Sequence, residues 1–190
     1  MDFILGSSSP RRLDLLNSIG IIPKEVISPN INESILKKEL PLVYCKRIAL
    51  EKLNTLINDY PNEIILTADT IAFCGRRILD KTKNSIEAKN ILKILSGKRH
   101  KVATSLCILR KDKKIITKTV ISSVSMKSFS EKEIDTYIES NEWINVAGSY
   151  RIQGYASSFI KSINGSYTNV VGLPLYETKN LLLSAGMHFY

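Results

Sequence analysis

Apolar and polar positions fall along this chain in blocks that read strand, helix, strand from the first residues onward. Phe3-Ile4-Leu5 is a short apolar run ending in Gly6-Ser7-Ser8-Ser9, and behind Pro10-Arg11-Arg12 the residues Leu13, Leu15, Leu16 and Ile19 recur at helical spacing. This predicts a buried strand, a tight loop and a helix with Ser9 at the N-cap, Pro10 at the first helical position and Gly20 closing the end. Residues 25–28 read as a short strand, and the polar loop behind them delivers Glu33. Over residues 42–57, Val43, Tyr44, Ile48, Ala49, Leu53, Leu56 and Ile57 mark an amphipathic helix, with Lys52 one position off the apolar stripe.

Residues 64–73 are too continuously apolar for an edge strand, and predict a central strand buried on both faces. Asp69 interrupts it. One reading makes Asp69 a turn or cap residue. The sharper reading makes it a carboxylate at a strand end, facing a metal or a water. A turn at Gly75-Arg76 follows, then a helix over residues 85–95 with Ile86, Ile91, Leu92 and Leu95 inward. Residues 100–109 and 115–124 predict a long hairpin, and Ser130-Glu131-Lys132-Glu133 is a capping box. Beyond the glycine-bracketed loop 147–154, residues 159–163 read as a strand. Asn164-Gly165 then reads as a hairpin turn, with residues 167–171 returning as its second strand and the last helix beginning near Pro174. There is no internal repeat, low-complexity segment or linker, so the expectation is one α/β domain over residues 1–190. It has two lobes around a twisted mixed β-sheet with flanking helices and a cleft between the lobes.

Composition narrows the function classes. The chain is 44% hydrophobic over 190 residues, enough for a sizeable core. No apolar run reaches the ~20 residues needed to span a bilayer. Asp2 and the brief first apolar run predict no signal peptide. Cys45, Cys74 and Cys107 are far apart and make no Cys-x-x-Cys, which fits buried thiols in a reducing cytoplasm. His100 and His188 are the only histidines, leaving little material for zinc or Ser-His-Asp chemistry. The net charge of +9 favours anionic partners. Its densest clusters, residues 98–101 and 110–114, lack interleaved aromatics, so nucleic-acid binding ranks second to a small phosphate ligand.

The first loop supplies the candidate chemistry. Serine hydroxyls, free backbone N–H groups at a helix start and two guanidinium groups are the equipment of an anion site, although the loop matches neither the Walker nor the dinucleotide spacing. Read alone, Lys52 and Lys81 are ordinary surface and turn lysines.

Four segments in order carry a resemblance: Ser7-x-Ser9-Pro10-Arg11-Arg12; Ala68-Asp69-Thr70; Leu95-Ser96-Gly97 with His100 and Val102; and Gly148-x-Tyr150-x-Ile152-Gln153-Gly154 with Gly165-Ser166-Tyr167-x-Asn169-Val170-Val171-Gly172-Leu173-Pro174. Together they resemble the Maf family of nucleoside triphosphate pyrophosphatases. The resemblance implies hydrolysis of a nucleoside triphosphate to monophosphate and pyrophosphate, with Mg²⁺ or Mn²⁺, by a cytoplasmic homodimer. It implies phosphate binding by Ser7, Ser9, Arg11, Arg12, Lys52 and Lys81. Asp69 is implied as proton acceptor, with Glu33 and Asp69 on the metal. Arg11, Thr70 and Gln153 occupy the family's specificity positions and resemble the branch acting on dTTP and UTP. Three departures stand out. Thr82 replaces the usual proline, predicting a looser Lys81 loop, Val146 stands where lysine is common, and Arg151 stands where a small residue is common. The alternative is a basic protein that binds nucleic acid or a cell-division partner without turnover.

Overall fold

The computed structural model describes residues 2–189. In chain order the elements are β1 (Phe3–Gly6), α1 (Pro10–Asn17), β2 (Glu25–Ile27), α2 (Pro41–Ile57), β3 (Ile64–Cys74), β4 (Arg77–Leu79), α3 (Ser85–Leu95), β5 (Arg99–Leu109), β6 (Ile115–Met126), α4 (Glu131–Glu139), β7 (Ile160–Asn164), α5 (Tyr167–Val171) and α6 (Leu175–Ser184). The strands are hydrogen-bonded in the order β2-β1-β3-β5-β6-β7, with β4 on β3. The sheet is mixed: β1 runs parallel to β2 and β3, whereas β4 on β3 and β7 on β6 are antiparallel. The predicted mixed α/β class holds.

The chain divides into two compact units, one of residues 1–69, 104–120 and 172–190, the other of residues 70–103 and 121–171. In the first unit, β1 and β3 pair in the register Ile4↔Ile65, Leu5↔Leu66 and Gly6↔Thr67. One apolar cluster joins Phe3, Leu5, Leu66, Leu106, Leu173 and Leu182, and another joins Ile4, Ala49, Leu53, Leu56 and Ile65. The alternation of β1 and β3 side chains between these clusters is the period-2 rule of a strand covered on both faces. Gly6 has to be glycine for packing reasons: a Cβ there would meet Leu56 Cδ1 and Thr67 Cγ2, each at 2.7 Å.

In the second unit, α3 is capped by Asn84, whose side chain accepts from the N–H groups of Ile86 and Glu87. The capping box of α4 forms as predicted, Ser130 accepting from the Glu133 N–H and Glu133 accepting from that of Ser130. Tyr137, Tyr155 and Phe159 cluster, with Tyr137 and Phe159 rings edge-on at 5.7 Å.

Several expectations are corrected. Residues 167–171 are a helix, because the Ser166 hydroxyl accepts from the Asn169 N–H and starts a helical turn directly behind Gly165. Ile86 is 69% exposed, and α3 buries Ala88 together with the predicted Leu92 and Leu95. Helix α1 stops at Asn17 with Ser18 as its C-cap, and Gly20 takes the left-handed φ of the turn beyond it. Ser9 holds the N-cap position of α1 but its side chain makes no capping bond.

Candidate functional site

Asp69 lies within β3, and the strand continues past it to Cys74. The turn and strand-end readings both fall. It is 2% exposed, since both faces of β3 are covered at that point. Its Oδ1 accepts from Lys52 Nζ at 2.9 Å. Lys52 is itself 7% exposed, so it is no surface lysine, and its ammonium also pairs with Glu33 Oε1 at 2.7 Å. One buried cation thus bridges two carboxylates from segments remote in sequence. Such a pair gives a fold little net stability, because desolvation offsets the Coulomb attraction. A role beyond stability is the simpler reason for it.

Helix α2 carries Lys52 to this point through two further contacts with β3. Thr67 Oγ1 donates to the Ala49 carbonyl at 2.7 Å, and Cys45 Sγ donates to the Asp69 carbonyl at 3.3 Å. Burial pushes the Cys45 thiol up to about 12, so it stays a neutral donor. Sequence reading passed over both residues, because a threonine in a strand and a cysteine on an apolar stripe look like packing.

The serine–arginine loop belongs to the same unit. Ser7 is buried, and its hydroxyl accepts from the Ser9 N–H at 3.2 Å and from Arg12 Nη1 at 2.9 Å. Arg12 Nε donates to the Gly172 carbonyl at 2.9 Å. The guanidinium is therefore buried and fixed at two points. Burial lowers its pKa, while Asp69 is the strongest charge opposing that shift, with Glu33 a weaker one. The Arg12 guanidinium and the Asp69 carboxylate accordingly feel one another within this unit. Ser9 and Arg11 are half-buried at the start of α1.

Glu33 is exposed, on the loop ahead of α2. Together with Asp69 it offers two hard oxygen donors, a set that suits Mg²⁺ or Mn²⁺ completed by water and phosphate oxygens. Among the described residues no group of three or more His, Cys, Asp or Glu gathers as a metal cage. The residues present fit a cation of that hydrated kind.

Thr70, Lys81 and Gln153 belong to the second unit. Thr70 is half-buried on β3, and Lys81 and Gln153 are exposed. Gln153 lines a depression of about 350 Å³ with Ile152, Ser157, Ile160, Ile163 and Tyr167. Thr82, at the position of the usual proline, ties the loop at Lys81 through hydrogen bonds. Thr82 is buried, its hydroxyl donates to Glu87 and accepts from the Asn84 N–H, and its carbonyl accepts from Asn145. Val146 is buried, and Arg151 is exposed. His100 is buried with Nε2 2.9 Å from Tyr150 Oη.

Among the described residues no helix is long and apolar enough to cross a membrane. The model of the Maf-like protein family matches residues 2–185. A nucleoside triphosphate pyrophosphatase of Ehrlichia ruminantium is 49% identical over 181 residues, covering 95% of this chain and 94% of its own. A dTTP/UTP pyrophosphatase of Roseobacter denitrificans is 49% identical over 184 residues, covering 97% of each. A nucleoside triphosphate pyrophosphatase of Anaplasma phagocytophilum is 45% identical, covering 94% and 93%. On this match along nearly its whole length, the chain belongs to the Maf-like protein family.

Proposed function

We propose that this protein is a nucleoside triphosphate pyrophosphatase acting on dTTP and UTP, releasing the monophosphate and pyrophosphate. The observation that carries the proposal is the buried Asp69–Lys52 pair joined by Glu33, in the same unit as the Ser7–Arg12 cradle. The relatives' names support the activity, and the Roseobacter relative's name supports the pyrimidine preference.

In this reading Ser7, Ser9, Arg11 and Arg12 bind the phosphates, with the N-terminal dipole of α1 behind them. Arg12 is held in place before substrate arrives, so little reorganisation is needed as charge develops on the departing pyrophosphate. Water attacks the α-phosphorus. A new P–O bond forms, the bond to the bridging oxygen of pyrophosphate breaks, and Asp69 accepts the water's proton. Lys52 holds the Asp69 carboxylate in place through its bond to Oδ1. Glu33 and Asp69 would hold Mg²⁺ or Mn²⁺, which when bound would supply Lewis-acid activation and neutralise phosphate charge. Lys81 adds positive charge at the phosphates, and Arg11, Thr70 and Gln153 set the choice of base. The Gln153 carboxamide offers one acceptor and one donor group, matching the N3–H and an adjacent carbonyl of uracil or thymine.

The test is hydrolysis of UTP, dTTP, CTP, GTP and ATP in ¹⁸O-labelled water, with Mg²⁺ or Mn²⁺. The expected products are UMP or dTMP carrying the label, with unlabelled pyrophosphate. Release of orthophosphate and diphosphate, or label in pyrophosphate, contradicts attack at the α position.

A further inference from the structure

Glu33 sits on an exposed loop, yet it reaches Lys52 at 2.7 Å, and something has to hold it there. The surrounding contacts identify what does. Arg47, one helical turn and a residue before Lys52 on α2, forks onto Glu39 through Nε to Oε1 and Nη2 to Oε2, both at 2.7 Å. The same Nη2 donates to the Ser34 carbonyl at 3.0 Å. Nη1 donates to Glu51 at 3.1 Å, so the guanidinium is tied to its own helix as well. Glu39 also accepts from the Leu36 N–H at 3.0 Å, which closes the loop on itself. Tyr44, one turn earlier on α2, donates its hydroxyl to the Glu33 carbonyl at 2.8 Å, and Arg47 Cζ lies 5.5 Å from the Tyr44 ring centroid.

The Glu33 segment is therefore bolted to α2 at the Glu33 carbonyl, the Ser34 carbonyl and the Glu39 carboxylate. All three bolts come from two side chains on the helix that carries Lys52. Bidentate Arg–carboxylate pairs are the geometrically specific kind, and Glu39 is 5% exposed in its side chain, so solvent does little to loosen this one. Within the loop, Asn32 Oδ1 accepts from the Ser34 N–H and hydroxyl.

We propose that Arg47 and Tyr44 are positioning residues that strap the Glu33 loop to α2 and so set the Glu33 carboxylate against Lys52 and Asp69. The proposal rests on the reading of Glu33 and Asp69 as the working carboxylates. Arg47 and Tyr44 reach the Glu33 segment through the Glu33 and Ser34 carbonyls and the Glu39 carboxylate. Each acts by fixing backbone, as outer partners of a site do, and losing one costs roughly tenfold or more in activity.

Two substitutions test it. Arg47→Lys keeps the charge and loses the fork, and Tyr44→Phe removes only the hydroxyl bonded to Glu33. Amide hydrogen exchange comes first: in each variant residues 33–39 should exchange about tenfold faster, with β1 and β3 unchanged. Unchanged exchange over 33–39 in both variants overturns the strap. A double-mutant cycle comes second. Arg47→Lys should lower kcat on UTP by roughly tenfold in the wild-type background and by less than about twofold in a Glu33→Gln background. An equal loss in both backgrounds means that Arg47 acts elsewhere, and overturns the proposal. A wild-type protein inert toward every triphosphate overturns the functional reading instead. The exchange comparison then still decides whether these two residues hold the loop.

Discussion

Gln153 is a residue whose exchange for its acid changes one hydrogen-bonding group and almost nothing else. It is exposed, so Gln153→Glu should alter stability by no more than about 0.5 kcal/mol. Glutamate only accepts, and it would face the carbonyls of uracil with like polarity. Sites that hydrogen-bond a substrate group discriminate by large factors when that group no longer matches. We predict that kcat/KM for UTP and dTTP falls at least ~100-fold in this variant while its melting temperature is unchanged within about 2 °C. An unaltered ratio of UTP to GTP turnover contradicts base reading by Gln153. Arg12 shows a different lesson at the same scale. Its position in a Ser-Pro-Arg-Arg loop marked it as an anion ligand, but no local pattern announced its bond to the Gly172 carbonyl, 160 residues away.

At the scale of elements, the site depends on how α2 lies on β3. Thr67 to Ala49, Cys45 to Asp69 and Lys52 to Asp69 are successive ties along one helix and one strand. Thr67→Val keeps the branched shape and removes the first tie, leaving the Ala49 carbonyl without that donor. The cost expected is about 1–2 kcal/mol, read as a lower urea midpoint with unchanged m-value. A midpoint equal to wild type contradicts a structural role for that hydroxyl.

This scale also separates what the chain disclosed from what it concealed. The buried run of β3, the Pro10 start of α1 and the capping box at Ser130 were legible because each is a local pattern with a local cause. The burial of Lys52 was not. Helical periodicity shows which face is apolar, whereas the two carboxylates that make a buried lysine tolerable come from other segments. Helix α5 was misread for a related reason. Asn164-Gly165 is a hairpin signal, but the side chain of Ser166 competes for the same backbone and wins. Asn169 then anchors the turn, donating to the Val102 carbonyl and the Ser122 hydroxyl.

For the molecule as a whole, the net charge of +9 creates a field that draws anionic nucleotides toward it, an effect that weakens with salt. Stability of the whole fold should also respond to pH through His100. Burial lowers its pKa from 6.5 to about 4. Below pH 6.5 the unfolded chain takes up a proton that the folded chain refuses, so stability present at neutral pH is lost as pH falls toward 4. The loss from this group is about 3 kcal/mol once pH 4 is passed. We predict that His100→Gln flattens the stability curve between pH 6.5 and 4 relative to wild type, as measured by urea unfolding. Parallel curves contradict the assignment of that slope to His100.

The claim on which the whole account turns is that the acid buried in β3 takes the proton of the attacking water. Asp69→Asn tests it most directly, because the amide nearly matches the carboxylate in shape and Lys52 keeps its bond to Glu33. Steady-state hydrolysis of UTP, beside circular dichroism and a melting curve, is the measurement. The account predicts a fall in kcat of about 1000-fold with the fold intact. A folded Asp69→Asn protein that retains kcat within about threefold of wild type contradicts it.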